Sequence, residues 1–217
     1  MQTKGILFDF DGTLANTIDL IIATFEFTCK KVLGAVPPRK AIIATFGLPL
    51  GDAFVKLAGR EDLVEEMRAV YKAFNEANHD AMIRPIAGVE ETLRDLKMRG
   101  LKLAVVTSKK PAMLRRGLDC LDLAQYIDVC IALGDTQESK PHPAPMLAAC
   151  RALRLKPCEC LCVGDSPFDL QSGRRAGAKT VAVLYTYFDL DKLVTEGEPD
   201  YVISTPHELL TLIAKNK

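Results

Sequence analysis

The hydrophobic positions change period twice along the chain. Gly5-Ile6-Leu7-Phe8 is a short apolar run without helical spacing, which predicts a strand buried on both faces. From Thr17 the spacing becomes helical. Ile18, Ile21, Ile22, Phe25, Cys29 and Val32 form one apolar stripe, with Asn16 or Thr17 placed to cap its start and Gly34 and Pro37-Pro38 to end it. A short helix is predicted near Lys40–Thr45. Leu57, Leu63, Met67, Val70, Tyr71 and Phe74 continue the helical period with a break at Gly59, and a loop over residues 83–88 closes the segment.

Beyond Gly88 helix and strand alternate. Val89, Leu93 and Leu96 predict a helix ended by Gly100, and Leu103–Val106 a strand running into Thr107-Ser108. Met113–Leu118, Met146–Leu153, Ser166–Ala176 and Glu208–Ile213 read as helices; Val129–Ile131, Leu161–Val163, Thr180–Leu184 and Tyr201–Ile203 read as strands. The order implies an α/β fold, a doubly wound parallel sheet covered on both faces. Residues 1–14 and 84–217 would form this core, and residues 15–83 a small all-helical domain inserted after the first strand. No internal repeat or low-complexity tract interrupts the pattern.

Composition narrows the partners. The 217 residues suffice for one substantial core with or without a small second one. With 28 basic and 28 acidic side chains, no electrostatic argument favours nucleic acid or an anionic membrane. No apolar run approaches the ~20 residues needed to span a bilayer, and acids interrupt the N-terminus by Asp9, unlike a signal peptide. Seven cysteines, an odd number mostly within apolar runs, suit reduced thiols and a cytoplasmic location. Cys158, Cys160 and Cys162 alternate, but Cys160-Leu161-Cys162-Val163 reads as a buried strand with cysteine as a small hydrophobe, and no second ligand pair at zinc spacing accompanies it.

Polar groups interrupt the apolar runs where predicted strands end: Asp9 and Asp11, Thr107 and Ser108, Asp165 and Asp169, with Lys140 in a loop. Ligands of open parallel sheets bind beyond the carboxyl ends of the strands. Asp9 and Asp11, spaced i, i+2, share one side of an extended chain, and Gly12 allows a sharp turn after them. Alone, such a pair reads first as a solvated strand-end turn. Combined, Asp9, Asp11 and Asp165 make an oxygen-rich cluster for a hard cation, of which Mg2+ fits a site with few carboxylates and substrate phosphate oxygens. Lys140 and Thr107 suit phosphate. A glycosidase would need two acids without a clustered lysine and metal.

These stretches carry a resemblance. Asp9-x-Asp11-Gly12-Thr13-Leu14, Val105-Val106-Thr107-Ser108, Lys140-Pro141 and Gly164-Asp165-Ser166-Pro167-Phe168-Asp169 resemble, in order, the four motifs of the haloacid dehalogenase-like (HAD) superfamily, with a helical cap between the first two. With Phe46-Gly47-Leu48-Pro49 in the cap, the pattern is similar to the phosphoglycolate phosphatase and PpaX-type pyrophosphatase branch. Ala87-Gly88 departs from the Pro-Gly of many relatives and bears on hinge stiffness. The resemblance implies a phosphatase acting on a small phosphorylated metabolite or pyrophosphate, as monomer or homodimer. Asp9 would be the nucleophile, Asp11 the general acid and base, and Thr107 and Lys140 the stabilisers of the transferring phosphoryl group, with Ser108 beside them at the substrate. Mg2+ would be held by Asp9, Asp165 and the Asp11 carbonyl, and Asp169 would orient the metal's waters or Lys140. A sugar phosphomutase uses the same motifs, and a catalytically silent binding module would keep the fold but normally lose an acid.

The flanking residues read more plainly. Lys109-Lys110 reads as a solvated doublet at a helix start, with an extension of the positive field over the phosphate as the alternative. Ser166 is expected as a helix cap or a ligand, and His79, His142 and His207 as surface residues. Arg39, Lys40 and the stretch 46–49 are candidates to face substrate from the cap.

Overall fold

The computed structural model describes residues 2–46 and 48–215, and its contacts divide into two compact units, Met1–Asn16 with Arg84–Lys217, and Thr17–Ile83. In chain order, β1 (Gly5–Phe8) and β2 (Ala15–Asn16) precede α1 (Ile18–Leu33), α2 (Arg39–Ile43), α3 (Leu50–Ala58) and α4 (Val64–Met82). Then follow β3 (Arg84–Pro85), α5 (Val89–Met98), β4 (Lys102–Val106), α6 (Pro111–Cys120), β5 (Val129–Ile131) and α7 (Ala144–Leu153). The chain continues through β6 (Cys160–Gly164), α8 (Pro167–Ala176), β7 (Lys179–Val183), α9 (Leu190–Gly197), β8 (Tyr201–Ile203) and α10 (Glu208–Lys215).

The first unit is built on a six-stranded sheet of order β5-β4-β1-β6-β7-β8 with every neighbouring pair parallel. β1 lies between β4 and β6, so all four of its residues are buried, which is why its apolar run has no polar alternation. Phe8 pairs with Val105 and Val163, and this register brings Asp9, Thr107 and Asp165 out at the same edge. The ladder continues slightly past the strands: Asp9 N–H donates to the Val163 carbonyl at 2.9 Å and Thr107 N–H to that of Ile131 at 2.9 Å. Behind the edge, Leu7, Ala104, Val106 and Cys162 pack against Met146, Ala149 and Cys150 of α7. Cys160 and Cys162 are buried in β6 within this core, whereas Cys158 is exposed.

Three features of the backbone elements differ from the sequence reading. The expected loop at 83–88 contains β3, which pairs antiparallel with β2 through Ala15–Pro85 and Asn16–Arg84; two-residue strands carry no readable period. α9 was not foreseen, because Leu193 and Gly197 are its only buried residues; its signal is Asp189, whose Oδ1 accepts from the N–H groups of Asp191 and Lys192. Thr17 stands at the N-cap of α1 in a helical conformation without a side-chain cap bond, so the stripe of α1 holds the helix by burial instead.

In the second unit, Phe25 of α1, Phe54 of α3 and Tyr71 of α4 meet edge-to-face with ring centroids 5.1 to 5.7 Å apart. His79, expected on the surface, is wholly buried. It lies at i+4 from the half-buried Asn75 and i+8 from Tyr71, on the buried stripe of α4, and that spacing was its signal. Its Nδ1 is 2.7 Å from Asp80 Oδ1, while Nε2 has no hydrogen-bond partner among the described residues. No helix of the described residues is long and apolar enough to cross a membrane.

Candidate active site

The site is assembled from strand ends. Asp9 follows β1, Thr107 follows β4 and Asp165 follows β6, all buried. Lys140 reaches them from the segment between β5 and α7. Its Nζ donates to Asp9 Oδ1 at 2.6 Å, Asp169 Oδ1 at 2.6 Å and the Val106 carbonyl at 3.0 Å, so all three ammonium protons are engaged. Asp169 sits in the first turn of α8, where Ser166 caps the helix by accepting from Asp169 N–H. The Ser166 hydroxyl donates to Asp169 Oδ2 at 2.6 Å and its N–H to the same oxygen at 3.2 Å. This reciprocal box orients Asp169 toward Lys140. It also answers the sequence alternative for Ser166, which is a cap.

Two glycines let the acids approach. Gly12 has φ +85°, and a Cβ there would collide with the Asp165 carboxylate; a Cβ on Gly164 would collide with the Asp169 side chain. Thr186 Oγ1 lies 3.0 Å from both the Asp165 carbonyl and Asp165 Oδ2. The sequence reading missed Thr186, although it obeys the rule that singled out Thr107: a hydroxyl just beyond the carboxyl end of a strand, here β7. Tyr185 beside it donates its hydroxyl to the Thr13 carbonyl at 3.3 Å, and burial, then the Asp165 charge, holds its phenol up.

Carboxylate oxygens of Asp9, Asp165 and Asp169 all lie within 4.8 Å of one another. Three acids face one ammonium, an excess of two negative charges if all ionise. Burial pushes the Asp9 carboxyl up to about 7; the Lys140 charge opposes this, and Asp169 and Asp11 add to it. Burial, then the Asp9 and Asp169 charges, raises Asp165 well above the usual carboxylate range against the Thr186 hydrogen bond. Lys140 is held above the usual lysine range, because the charges and hydrogen bonds of Asp169 and Asp9 outweigh a burial that alone would lower it. A buried, oxygen-only cluster with excess negative charge matches the donor set of a hard cation.

Asp11 stands apart from that cluster. Its Oδ1 accepts from Lys109 Nζ at 2.8 Å, so Lys109 is not the solvated side chain its helix-start position suggested. The Thr107 hydroxyl oxygen accepts from Lys109 N–H at 3.2 Å, while Ser108 and Lys110 are exposed. Of the sequence-selected residues, Asp9, Asp165, Asp169 and Lys140 form one group on the first unit, and Asp11, paired with Lys109, adjoins it.

The family model described as haloacid dehalogenase-like hydrolase matches residues 6–183. The chain belongs to this family. Among its members, pyrophosphatase PpaX of Halalkalibacterium halodurans is 39% identical over 213 residues, 98% of each chain. A Clostridium perfringens protein provisionally named pyrophosphatase PpaX is 41% identical over 212 residues, again 98% of each. A crystal structure of a predicted phosphoglycolate phosphatase from Haemophilus somnus 129pt superposes with a TM-score of 0.87 at 25% identity, covering 98% of each chain. The haloacid dehalogenase-like assignment thus spans the parallel sheet and the helical segment alike.

Proposed function

We propose that this haloacid dehalogenase-like hydrolase is a Mg2+-dependent phosphatase of pyrophosphate or a small phosphomonoester such as phosphoglycolate. The supporting observation is the buried Asp9–Lys140–Asp169 arrangement beside Asp165 at the edge where β1, β4 and β6 end. Lys140 occupies Asp9 Oδ1, which leaves Oδ2 to attack phosphorus and form an aspartyl-phosphate. Asp11 protonates the leaving oxygen, then takes a proton from the water that attacks the aspartyl-phosphate and frees Asp9. Thr107 binds a phosphoryl oxygen with Ser108 beside it, and the Lys140 charge balances the transferring group. Asp169 acts by orienting Lys140, the contact at 2.6 Å. Asp9, Asp165 and the Asp11 carbonyl would hold Mg2+, which would supply the positive charge that this excess of carboxylates lacks.

The helical insert, drawn as residues 15–83, serves as the substrate-selecting cap, with Arg39, Lys40, Phe46, Leu48 and Pro49 as its candidate determinants; Gly47 of that stretch lies outside the described residues. The relatives named pyrophosphatase favour hydrolysis over the phosphomutase alternative. The test is phosphate release from pyrophosphate and 2-phosphoglycolate, with and without Mg2+, by wild type and Asp9→Asn. Mg2+-dependent release abolished by the substitution is the expected result. No release by the wild type from any phosphomonoester or from pyrophosphate would leave a silent binding module.

A further inference from the structure

We infer that Lys109 makes this site selective for phosphate compounds whose leaving group is itself negatively charged: inorganic phosphate departing from a phosphoanhydride, or a carboxylate-bearing alcohol departing from its phosphate ester. The inference rests on the phosphatase reading above and gives it a substrate class.

The two lysines at the sheet edge differ in what they have left to offer. Lys140 is 7% exposed, with its three protons on Asp9, Asp169 and Val106 and its charge faced by two carboxylates. The Lys109 side chain is 14% exposed, and its ammonium makes one hydrogen bond among the described residues, to Asp11 Oδ1 at 2.8 Å. Two donor directions remain. Its backbone is fixed at both ends, since its N–H donates to Thr107 Oγ1 at 3.2 Å and its carbonyl accepts from Leu133 N–H at 2.9 Å. The buried Phe10 ring, 5.6 Å from Nζ, flanks the ammonium.

Asp11 gives its proton to the oxygen that leaves phosphorus, so the leaving group departs past the Asp11 carboxyl. An ammonium bonded to that carboxyl is about one further hydrogen-bond length from the departing group. A neutral leaving group displaces water from Lys109 and returns little. An anionic one supplies a charge-assisted acceptor in its place. In a carboxylate-bearing ester this charge is present from binding through to the transition state, so the contact is read in kcat/KM. A departing phosphate gains charge as its P–O bond breaks and draws more from Lys109 at the transition state. Without Lys109 an anionic leaving group would face Asp11 and the three-acid cluster with Lys140 already engaged.

The test uses the full-length protein with Mg2+ and a matched pair of substrates. 2-Phosphoglycolate and 2-hydroxyethyl phosphate have the same length and differ in a carboxylate for a CH2OH group. The wild type is expected to prefer phosphoglycolate in kcat/KM. Lys109→Met should reduce the phosphoglycolate-to-hydroxyethyl ratio about ten- to a hundredfold, and Lys109→Arg should retain most of it. An equal loss on both substrates would make Lys109 only a support for Asp11 and would overturn the inference. A second measurement needs no variant: with the wild type, glycolate should inhibit at concentrations about tenfold or more below those of ethylene glycol. Equal inhibition, or equal kcat/KM on the two esters, overturns the selectivity while leaving the phosphatase intact. Absence of phosphate release from both esters and from pyrophosphate would instead remove the phosphatase reading itself.

Discussion

The cluster around Asp9 at the carboxyl edge of the parallel sheet and the centre of the helical unit are both buried, yet they are filled on opposite principles. Around Phe25, Phe54 and Tyr71, interdigitated rings and aliphatic chains stabilise the fold, and His79 is a buried polar exception. Around Asp9, three carboxylates crowd together at distances where like charges repel, and one ammonium pairs with two of them. The first interior is arranged for stability. The second keeps groups that burden the fold, and only a chemical task gives reason to retain them.

The largest effect that would sharpen this contrast is at Asp9. Asp9→Asn should lower turnover by about 10³-fold or more, while the Tm of the metal-free protein near pH 8 stays level or rises because a crowded charge is gone. A clear fall in Tm would break the comparison. Lys140→Met should behave in the opposite sense, losing both activity and about 3–5 kcal/mol of stability, since three acids then remain uncompensated. Denaturant titration reads this, and adding Asp169→Asn in the same chain should recover part of the loss. In the helical unit, Phe54→Ala should cost about 3–5 kcal/mol by leaving a cavity among rings, with no pH dependence in the change.

The last comparison concerns pH. Asp9 is raised to about 7 from an unperturbed 3.8, so the folded state binds that proton more tightly than the unfolded state. Stability of the metal-free protein is then greatest on the acid side of this window and falls as pH rises from about 4 to about 7. A cation favours the ionised carboxylate, so Mg2+ should raise Tm more near pH 8 than near pH 5.5. Scanning calorimetry at the two pH values checks the sign.

How much of this could be read from the chain depends on how many residues speak for each element. β1, β4 and β6 were legible because central strands are continuous apolar runs, and the strand-end rule then put Asp9, Thr107 and Asp165 on one edge. β2 and β3 were not, being two residues each, and neither was α9, which buries two. The Lys109–Asp11 pair joins positions 98 residues apart and leaves no local trace, so a doublet at a helix start was read as solvated. Thr186 and His79 were readable in principle, one from its strand end and one from its helical spacing.

The Ser166–Asp169 box has a consequence for descent. One carboxylate begins a helix with one oxygen and steadies Lys140 with the other. A lineage that abandoned turnover would still keep this acid for architectural reasons, so its survival in a silent descendant would testify to ancestry alone. Asp9 has no such second employment, and its loss is the mark by which a retired copy of this enzyme would be known.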